Sequence, residues 1–401
     1  KASDALSPAW HWLYFHEATP ASKLGIEGHA QLGDFKTADN YYKNALNIIN
    51  KSPGELLLPL DHLQVAPILF LQIEKLFSEL IPNSEYGLRL LPLLCYLLSL
   101  FFFFKIAQKL FSDFYVVIFS LSIFIFNGTL LYYASEVKQY MADVLVLTTV
   151  FFVVFKNFNN EKNRYLALGI IGLVAVFFSN VTPLVLLSAG LYLLFVNQKK
   201  EKREFKSIAW LYMFWLLGFS VYYALFIHNH PLQARMLNFW TLKKSFLPLD
   251  VWSGEFLNFV KLKGIMLLQM NGTSPMLPIF HRMATDFIFT DLILFIFLVS
   301  GFIHLILKRR FDILILIFTP ILAQLILSGF RLYPFDTRLL LYTIPLIIVL
   351  SSFGFQLLLE TLRRWSSIKG HAAMALIVPL VFGFSFFKCS FGFFHGIMHV
   401  Y

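Results

Sequence analysis

Two arginines, a carboxylate–lysine pair and an acid–histidine pair, each set at the edge of a long apolar block, are the residues of this 401-residue chain best suited to chemistry. Arg331 and Arg338 bracket the stretch 331–338, which also holds Tyr333 and Asp336. A guanidinium presents a planar fork that binds phosphate through two parallel hydrogen bonds. The competing local explanations are an Arg338–Asp336 pair or arginines reaching out to lipid headgroups. The stretch 132–140 gathers Tyr132, Tyr133, Glu136, Lys138, Gln139 and Tyr140 between apolar segments. A carboxylate beside an ammonium there suits a phosphate or a sugar hydroxyl, and the bland alternative is a solvated turn. Asp61 and His62 sit where a polar stretch gives way to an apolar one, a position for acid–base work. His228, His230 and His281 show no metal-ligand spacing.

The elements that must hold these groups are membrane helices. The chain is 58% hydrophobic and 14% charged, with a mean hydropathy of +0.68. A soluble domain carries about 25% charged residues, so this chain has too few to solvate its surface. Apolar blocks approaching the roughly 20 residues of a bilayer-spanning helix predict ten spans, near 88–106, 115–132, 141–155, 165–179, 182–196, 208–227, 286–307, 312–329, 339–359 and 373–395. Every odd-numbered span ends in a Lys/Arg-rich loop, at 105–113, 156–164, 197–207, 308–311 and 361–371. Basic loops stay on the cytoplasmic side, so those five are expected there. The outside then holds residues 1–87, the turns at 136–140 and 180–183, the loop 228–285, the stretch 331–338 and the tail 396–401. The fold class expected is therefore an all-α polytopic membrane protein whose polar groups collect on the non-cytoplasmic face. That asymmetry fits an alternating-access transporter poorly, since such proteins place polar groups at mid-bilayer.

The formal charge of +10 is spread in short clusters between apolar blocks, which argues against a nucleic-acid partner. Cys95 and Cys389 fall inside apolar segments and read as buried thiols. Residues 1–50 are polar, and 31–48 resembles half of a tetratricopeptide unit, which cannot bury its own face alone. Residues 51–87 form an outer loop containing an amphipathic helix that starts at Pro67. Its apolar stripe is Ile68, Leu69, Ile73, Leu76 and Phe77, with Glu74, Lys75 and Glu79 on the other side, as in a helix lying on the membrane surface. No signal peptide precedes the first span near Leu88, so an upstream helix or signal is expected before Lys1.

Taken in order, several stretches resemble one known family: 44–51, 64–70, 83–90, 132–143, 239–249 and 333–339. They are similar to bacterial GT-C glycosyltransferases, near the protein mannosyltransferase and lipid A aminoarabinose transferase branch, over about residues 39–360. The resemblance implies a polyprenyl-phosphate-linked sugar as donor, transfer to a lipid, glycan or protein acceptor outside, and a bacterial cytoplasmic membrane with the site facing the periplasm. In that family an acidic residue of the first outer loop acts as base. The matching neighbourhood here is Asp39-Asn40, where the family has Asp-Glu, so Asp61 and Glu136 stand beside Asp39 as candidate catalytic carboxylates. The substrate-binding set is His62, Gln64, Lys138, Gln139, Tyr140, Arg331, Tyr333 and Arg338, with membrane lipids as partners. The residues do not decide whether a divalent metal takes part. A second reading takes the chain as a non-catalytic GT-C-like subunit that docks a partner protein through residues 1–50.

Overall fold

The computed structural model describes residues 66–81, 85–158, 160–198, 204–228, 233–271 and 284–365, and within them the chain is helical with no strand. A bilayer offers backbone N–H and C=O groups no partner, so the apolar blocks satisfy them internally as helix. The helices are α1 Ile68–Leu80, α2 Glu85–Leu110, α3 Phe114–Ile125, α4 Gly128–Ser135, α5 Tyr140–Phe155, α6 Glu161–Phe178 and α7 Thr182–Gln198. They continue with α8 Phe205–Tyr222, which runs into a π-helical turn at Tyr223–Ile227, then α9 Gln233–Leu242, α10 Gly254–Asn271, α11 Ala284–Leu307 and α12 Phe311–Gly329. A 3-10 helix, Thr337–Thr343, leads directly into α13 Ile344–Trp365. The stretch 1–50, the span at 373–395, the tail 396–401 and Cys389 lie outside the described residues.

Nine of the ten expected spans coincide with helices, and among the described residues fewer of these reach by themselves the length and apolarity of a full crossing. Among the described residues, four segments are long and apolar enough by themselves: Gly87–Leu110, Phe205–Ile227, Phe311–Gly329 and Thr337–Arg364. The expected span at 115–132 is broken, because α3 and α4 meet at 47°; counted together they make a fifth. At 1.5 Å per residue the 16-residue helix α5 covers about 24 Å, short of the roughly 30 Å hydrocarbon core. Helix α7, with 17 residues, is similarly short. The break at Asn127 is built for its place. Its Oδ1 accepts from Leu130 N (2.9 Å) to cap α4, while its Nδ2 and the Thr129 hydroxyl both donate to the Met270 carbonyl at 3.1 Å.

Side-chain pairs collect the basic loops at one end of the bundle. Lys109 donates to Asn157 (3.0 Å), Arg363 pairs with Asp113 (2.5 Å) and Lys308 pairs with Glu360 (3.5 Å). Four of the five Lys/Arg-rich loops thus share that end, as the alternation of the chain requires.

The interior is apolar and aromatic, with Phe119 stacked on Phe355 at 4.2 Å and Phe103 on Phe124 at 4.7 Å. Cys95 is buried there as a free thiol. Helices α11 and α13 touch backbone to backbone. A Cβ on Gly301 would lie 1.9 Å from the Leu350 carbonyl, and one on Gly354 would lie 2.0 Å from the Phe297 carbonyl. Glycine is required there because neither obstacle is a side chain able to turn away.

Helix α1 buries a face rotated from its apolar stripe: Ile73 and Phe77 of the stripe still pack partly buried against the core, but Glu74 from the polar side turns inward. Ile68, Phe70, Leu71 and Glu74 face inward, while Leu76 is 53% exposed. The cause is tertiary: α1 lies against α2 and α6, and Phe70 packs on Phe178 (6.0 Å), which carries Glu74, one turn further on, inward with it. Its Oε1 is buried without a hydrogen-bond partner, and burial pushes the carboxyl up to about 8.

Two outcomes follow. Gly354→Ala should lower the thermal unfolding midpoint of the detergent-purified protein, at a cost of about 1–3 kcal/mol from overpacking; an unchanged midpoint would show that the helices do not meet here. Because the docked pKa of Glu74 is raised, the docking of α1 is fully stabilised below pH 4.5 and weakens as pH rises to about 8. Hydrogen exchange of residues 68–80 should therefore quicken between pH 6 and 9, after correction for intrinsic rates. Glu74→Gln should abolish that change, and a variant that keeps it would remove Glu74 as the cause.

Candidate functional site

At the end opposite the basic loops, segments far apart in sequence meet around Arg338. The first is the turn joining α4 to α5. Glu136 is the C-cap residue of α4, and its carboxylate pairs with Lys138 at 2.8 Å. Four residues later Tyr140 begins α5, buried, with Tyr133 packed edge-on at 5.3 Å. The second segment is α9 and its end, where Phe239 and Trp240 stand nearly perpendicular with centroids 4.9 Å apart. The third is the 3-10 helix that carries Arg338.

Arg338 is held in an aromatic frame. Its guanidinium lies 4.7 Å from the Trp240 ring centre, 5.8 Å from Phe239 and 6.0 Å from Tyr140. Lys243 shares two of those rings, 5.0 Å from Phe239 and 5.9 Å from Trp240. A cation over a ring face gains about 0.5–2 kcal/mol from the quadrupole, and a guanidinium stacked flat still directs its N–H edge outward. A guanidinium so held can fork two N–H bonds onto two oxygens of a tetrahedral phosphate.

Asp336 places these parts relative to one another. Its Oδ2 accepts from Ser245 Oγ (2.6 Å) and from Lys263 Nζ (2.9 Å), while its Oδ1 accepts from Thr337 N (3.0 Å) and so caps the 3-10 helix. Burial would raise this carboxyl, but the Lys263 ammonium, the two side-chain hydrogen bonds and the charge of Lys243 outweigh it and hold it below the ordinary carboxylate range. The Arg338–Asp336 pairing weighed from the sequence gives way to this one: Asp336 is committed to Lys263 and Ser245. Further ties converge on the same corner. Phe335 N donates to the Ser245 carbonyl (2.8 Å), Ser328 Oγ donates to it (3.2 Å), and Gln324 Nε2 donates to the Pro334 carbonyl (2.9 Å).

Arg331 has a different setting. It occupies the left-handed position after α12, at φ 57°, with its N–H on Ser328 O and that of Leu332 on Leu327 O, the Schellman arrangement that usually takes glycine. Its side chain is exposed and makes no hydrogen bond, ion pair or ring contact among the described residues. The aromatic frame therefore holds Arg338 and, from a distant segment, Lys243. Lys244 and Arg309 end α9 and α11 in the same way, at φ 51° and 54°.

Tyr333 lies just before the frame, and its phenol is held well above the ordinary tyrosine range by burial, with the Asp143 carboxyl and three neighbouring tyrosines adding to it. Gln139 is the N-cap residue of α5 without a side-chain capping bond. Asp39, Asp61, His62 and Gln64 lie outside the described residues. Among those described, no group of three or more His, Cys, Asp or Glu side chains is arranged to hold a metal ion.

The residue that sequence reasoning passed over is Asp143. It is 2% exposed, one turn beyond Tyr140, and accepts from the buried Ser179 hydroxyl at 2.6 Å, which ties α5 to the turn between α6 and α7. The signal was present: a carboxylate inside an apolar span is a functional candidate on its own, because it has a large desolvation cost to offset. Trp240, Lys243 and Ser245 fell within the resembling stretch 239–249 without being singled out, and Lys263 left no mark, since nothing in the loop 228–285 shows which of its residues turn inward. No protein-family model, curated protein or solved structure matches the chain.

Asp336→Asn should destabilise the protein by about 3 kcal/mol, because Lys263 is left as a buried charge without its carboxylate. Adding Lys263→Met should recover much of the loss, as removal of both charges leaves neither stranded. Since the folded pKa of Asp336 is depressed, its contribution is complete above pH 3.8 and is lost as pH falls below that. Unfolding midpoints of both variants from pH 3 to 7 provide the measurement. Equal stability of Asp336→Asn and the parent at pH 7 would deny the carboxylate its fastening role.

Proposed function

We propose that this chain is a membrane glycosyltransferase that moves a sugar from a polyprenyl-phosphate donor to an acceptor on the non-cytoplasmic face of a bacterial inner membrane. In this reading it crosses the bilayer ten times and its site faces the periplasm. The observation that carries the proposal is the Arg338 guanidinium held over Trp240 at 4.7 Å, with Lys243 over the same pair of rings. The ordered resemblance to GT-C enzymes supports the same direction.

The chemistry fits the residues. Departure of a lipid phosphate moves negative charge onto its oxygens as the bond to the anomeric carbon breaks, and fixed cations stabilise that charge without reorganising. Arg338 and Lys243 serve there, and the aromatic frame sets the plane of the guanidinium before the donor arrives. The acceptor hydroxyl forms the new bond to the anomeric carbon, and its proton passes to a carboxylate within hydrogen-bond reach. Asp39 and Asp61 fill that role better than Glu136, whose carboxylate is paired with Lys138 at 2.8 Å. Asp143, beneath Tyr140, supports the frame from inside the bundle by holding Ser179 and its turn.

Arg338→Lys separates charge from geometry. It keeps the positive charge but loses the planar fork and the stacking, so kcat/KM with a labelled polyprenyl-phosphate sugar in native membranes should fall about 100-fold, roughly 2.7 kcal/mol of transition-state stabilisation. Arg331→Ala should leave it within about twofold, given its exposed cap position. A fully active Arg338→Lys enzyme would exclude the phosphate role. If the parent membranes transfer no sugar from any polyprenyl-phosphate donor, the glycosyltransferase reading itself fails.

A further inference from the structure

The segment 233–271 is fastened to the bundle by one face, and the opposite face of α10 is also apolar. Inward, Phe259, Lys263 and Met270 face the bundle, with Phe259 packed near Phe335 at 6.3 Å. Outward, half a turn away, Leu257 is 64% exposed and Val260 50%, and Lys261 sits one turn beyond Leu257. Just ahead of the helix, the tip carries Leu249 at 69%, Val251 at 51% and Trp252 at 93% exposure. None of these residues belongs to a segment long and apolar enough to cross a membrane. A nearly bare tryptophan flanked by bare aliphatic side chains is unfavourable in water: each buried aliphatic side chain gains about 1.5–3 kcal/mol on leaving it. Tryptophan in particular settles at the level of lipid headgroups.

We infer that this face lies in the lipid leaflet at the Arg338 end, with Trp252 and its neighbours sunk to the boundary between headgroups and acyl chains and with Lys244 and Lys261 on anionic lipid phosphates. Charge selects this occupant. The segment carries five basic residues, Arg235, Lys243, Lys244, Lys261 and Lys263, against Asp250 and Glu255. Lys244 and Lys261 are both exposed, and an anionic headgroup layer matches them. Position selects it too: α10 packs against α11, whose Leu292, Phe295, Ile296 and Val299 are exposed, so the outward apolar surface runs on from one helix to the next. The inference stands apart from any transfer chemistry. It sets the depth of the segment that carries Trp240 and Lys243, and so the level at which Arg338 opens.

The test places a fluorescent nitrobenzoxadiazole label at Trp252→Cys, in the full chain with Cys389→Ala, reconstituted in nanodiscs of phosphatidylcholine and phosphatidylglycerol. Cys95 is 1% exposed and stays unlabelled. Emission should be blue-shifted, quenched more by a lipid with its nitroxide at carbon 5 than at carbon 12, and about fivefold less sensitive to iodide than the free dye–cysteine adduct. Lys244→Gln/Lys261→Gln should reduce the nitroxide quenching in anionic discs and change little in discs of phosphatidylcholine alone. A label at Leu257→Cys gives the same readout should the Trp252 variant misfold. Iodide access equal to that of the free adduct would place the tip in water and overturn the inference. Protection from both iodide and nitroxide would mean that protein covers the face, and would overturn it equally.

Discussion

The carboxylate of Asp336 fastens together the end of α9 through Ser245, the middle of α10 through Lys263 and the first turn of the 3-10 helix through Thr337 N. A buried carboxylate carries a large desolvation cost unless several donors meet it, and here an ammonium, a hydroxyl and a backbone N–H do so. The consequence is positional. Ser245 stands two residues after Lys243 and five after Trp240, while Arg338 stands two residues after Asp336. One carboxylate therefore fixes the distance between the arginine and the rings it lies over, although the two belong to stretches almost a hundred residues apart in the chain.

That fixing has an electrostatic side. Lys243, Lys263 and Arg338 are like charges brought to one corner of a mostly apolar protein, and they would repel one another if left to themselves. Asp336 balances two of them, directly at Lys263 and through space at Lys243. The faces of Phe239, Trp240 and Tyr140 supply the rest, since a ring face attracts a cation without adding a formal charge. The corner stays cationic, a condition for binding phosphate, and it is rigid because the arginine has been given planes to lie on.

The two ends of the bundle are held by different means. At the basic end, ion pairs and hydrogen bonds such as Arg363–Asp113 and Lys109–Asn157 join short loops, and water screens such partly exposed pairs. At the Arg338 end, buried hydroxyls, amides and tyrosines carry the connections together with the Asp336–Lys263 pair. Tyr342 donates to Gln324 Oε1 at 2.7 Å, and Gln324 in turn donates to Pro334 O. In between, α11 and α13 meet at two glycines, where the absence of Cβ lets backbones touch and dispersion replace the hydrophobic drive that lipid removes.

Much of the architecture was legible in the sequence, because solvent determines it locally. Apolar blocks must be helical in lipid whatever they pack against, and Lys/Arg-rich loops stay on one side, so the class, most of the helices and the shared end of the basic loops follow from composition and spacing. Arg338 and Tyr140 were visible as polar residues at the edges of apolar blocks. Their meeting was not, because it depends on how a 3-10 helix, a broken span and a returning loop are docked. The bend at Asn127 arises from a hydrogen bond to Met270, distant in the chain, and α1 turns Glu74 inward because Phe70 finds Phe178. Arg331 drew attention because an arginine at that membrane edge needs a reason, and only the tertiary structure shows it at the left-handed end of α12, a position that usually takes glycine. Local sequence determines what a segment is made of and which solvent it tolerates. Which face it buries, and which distant charge it meets, is decided only when the other helices have taken their places.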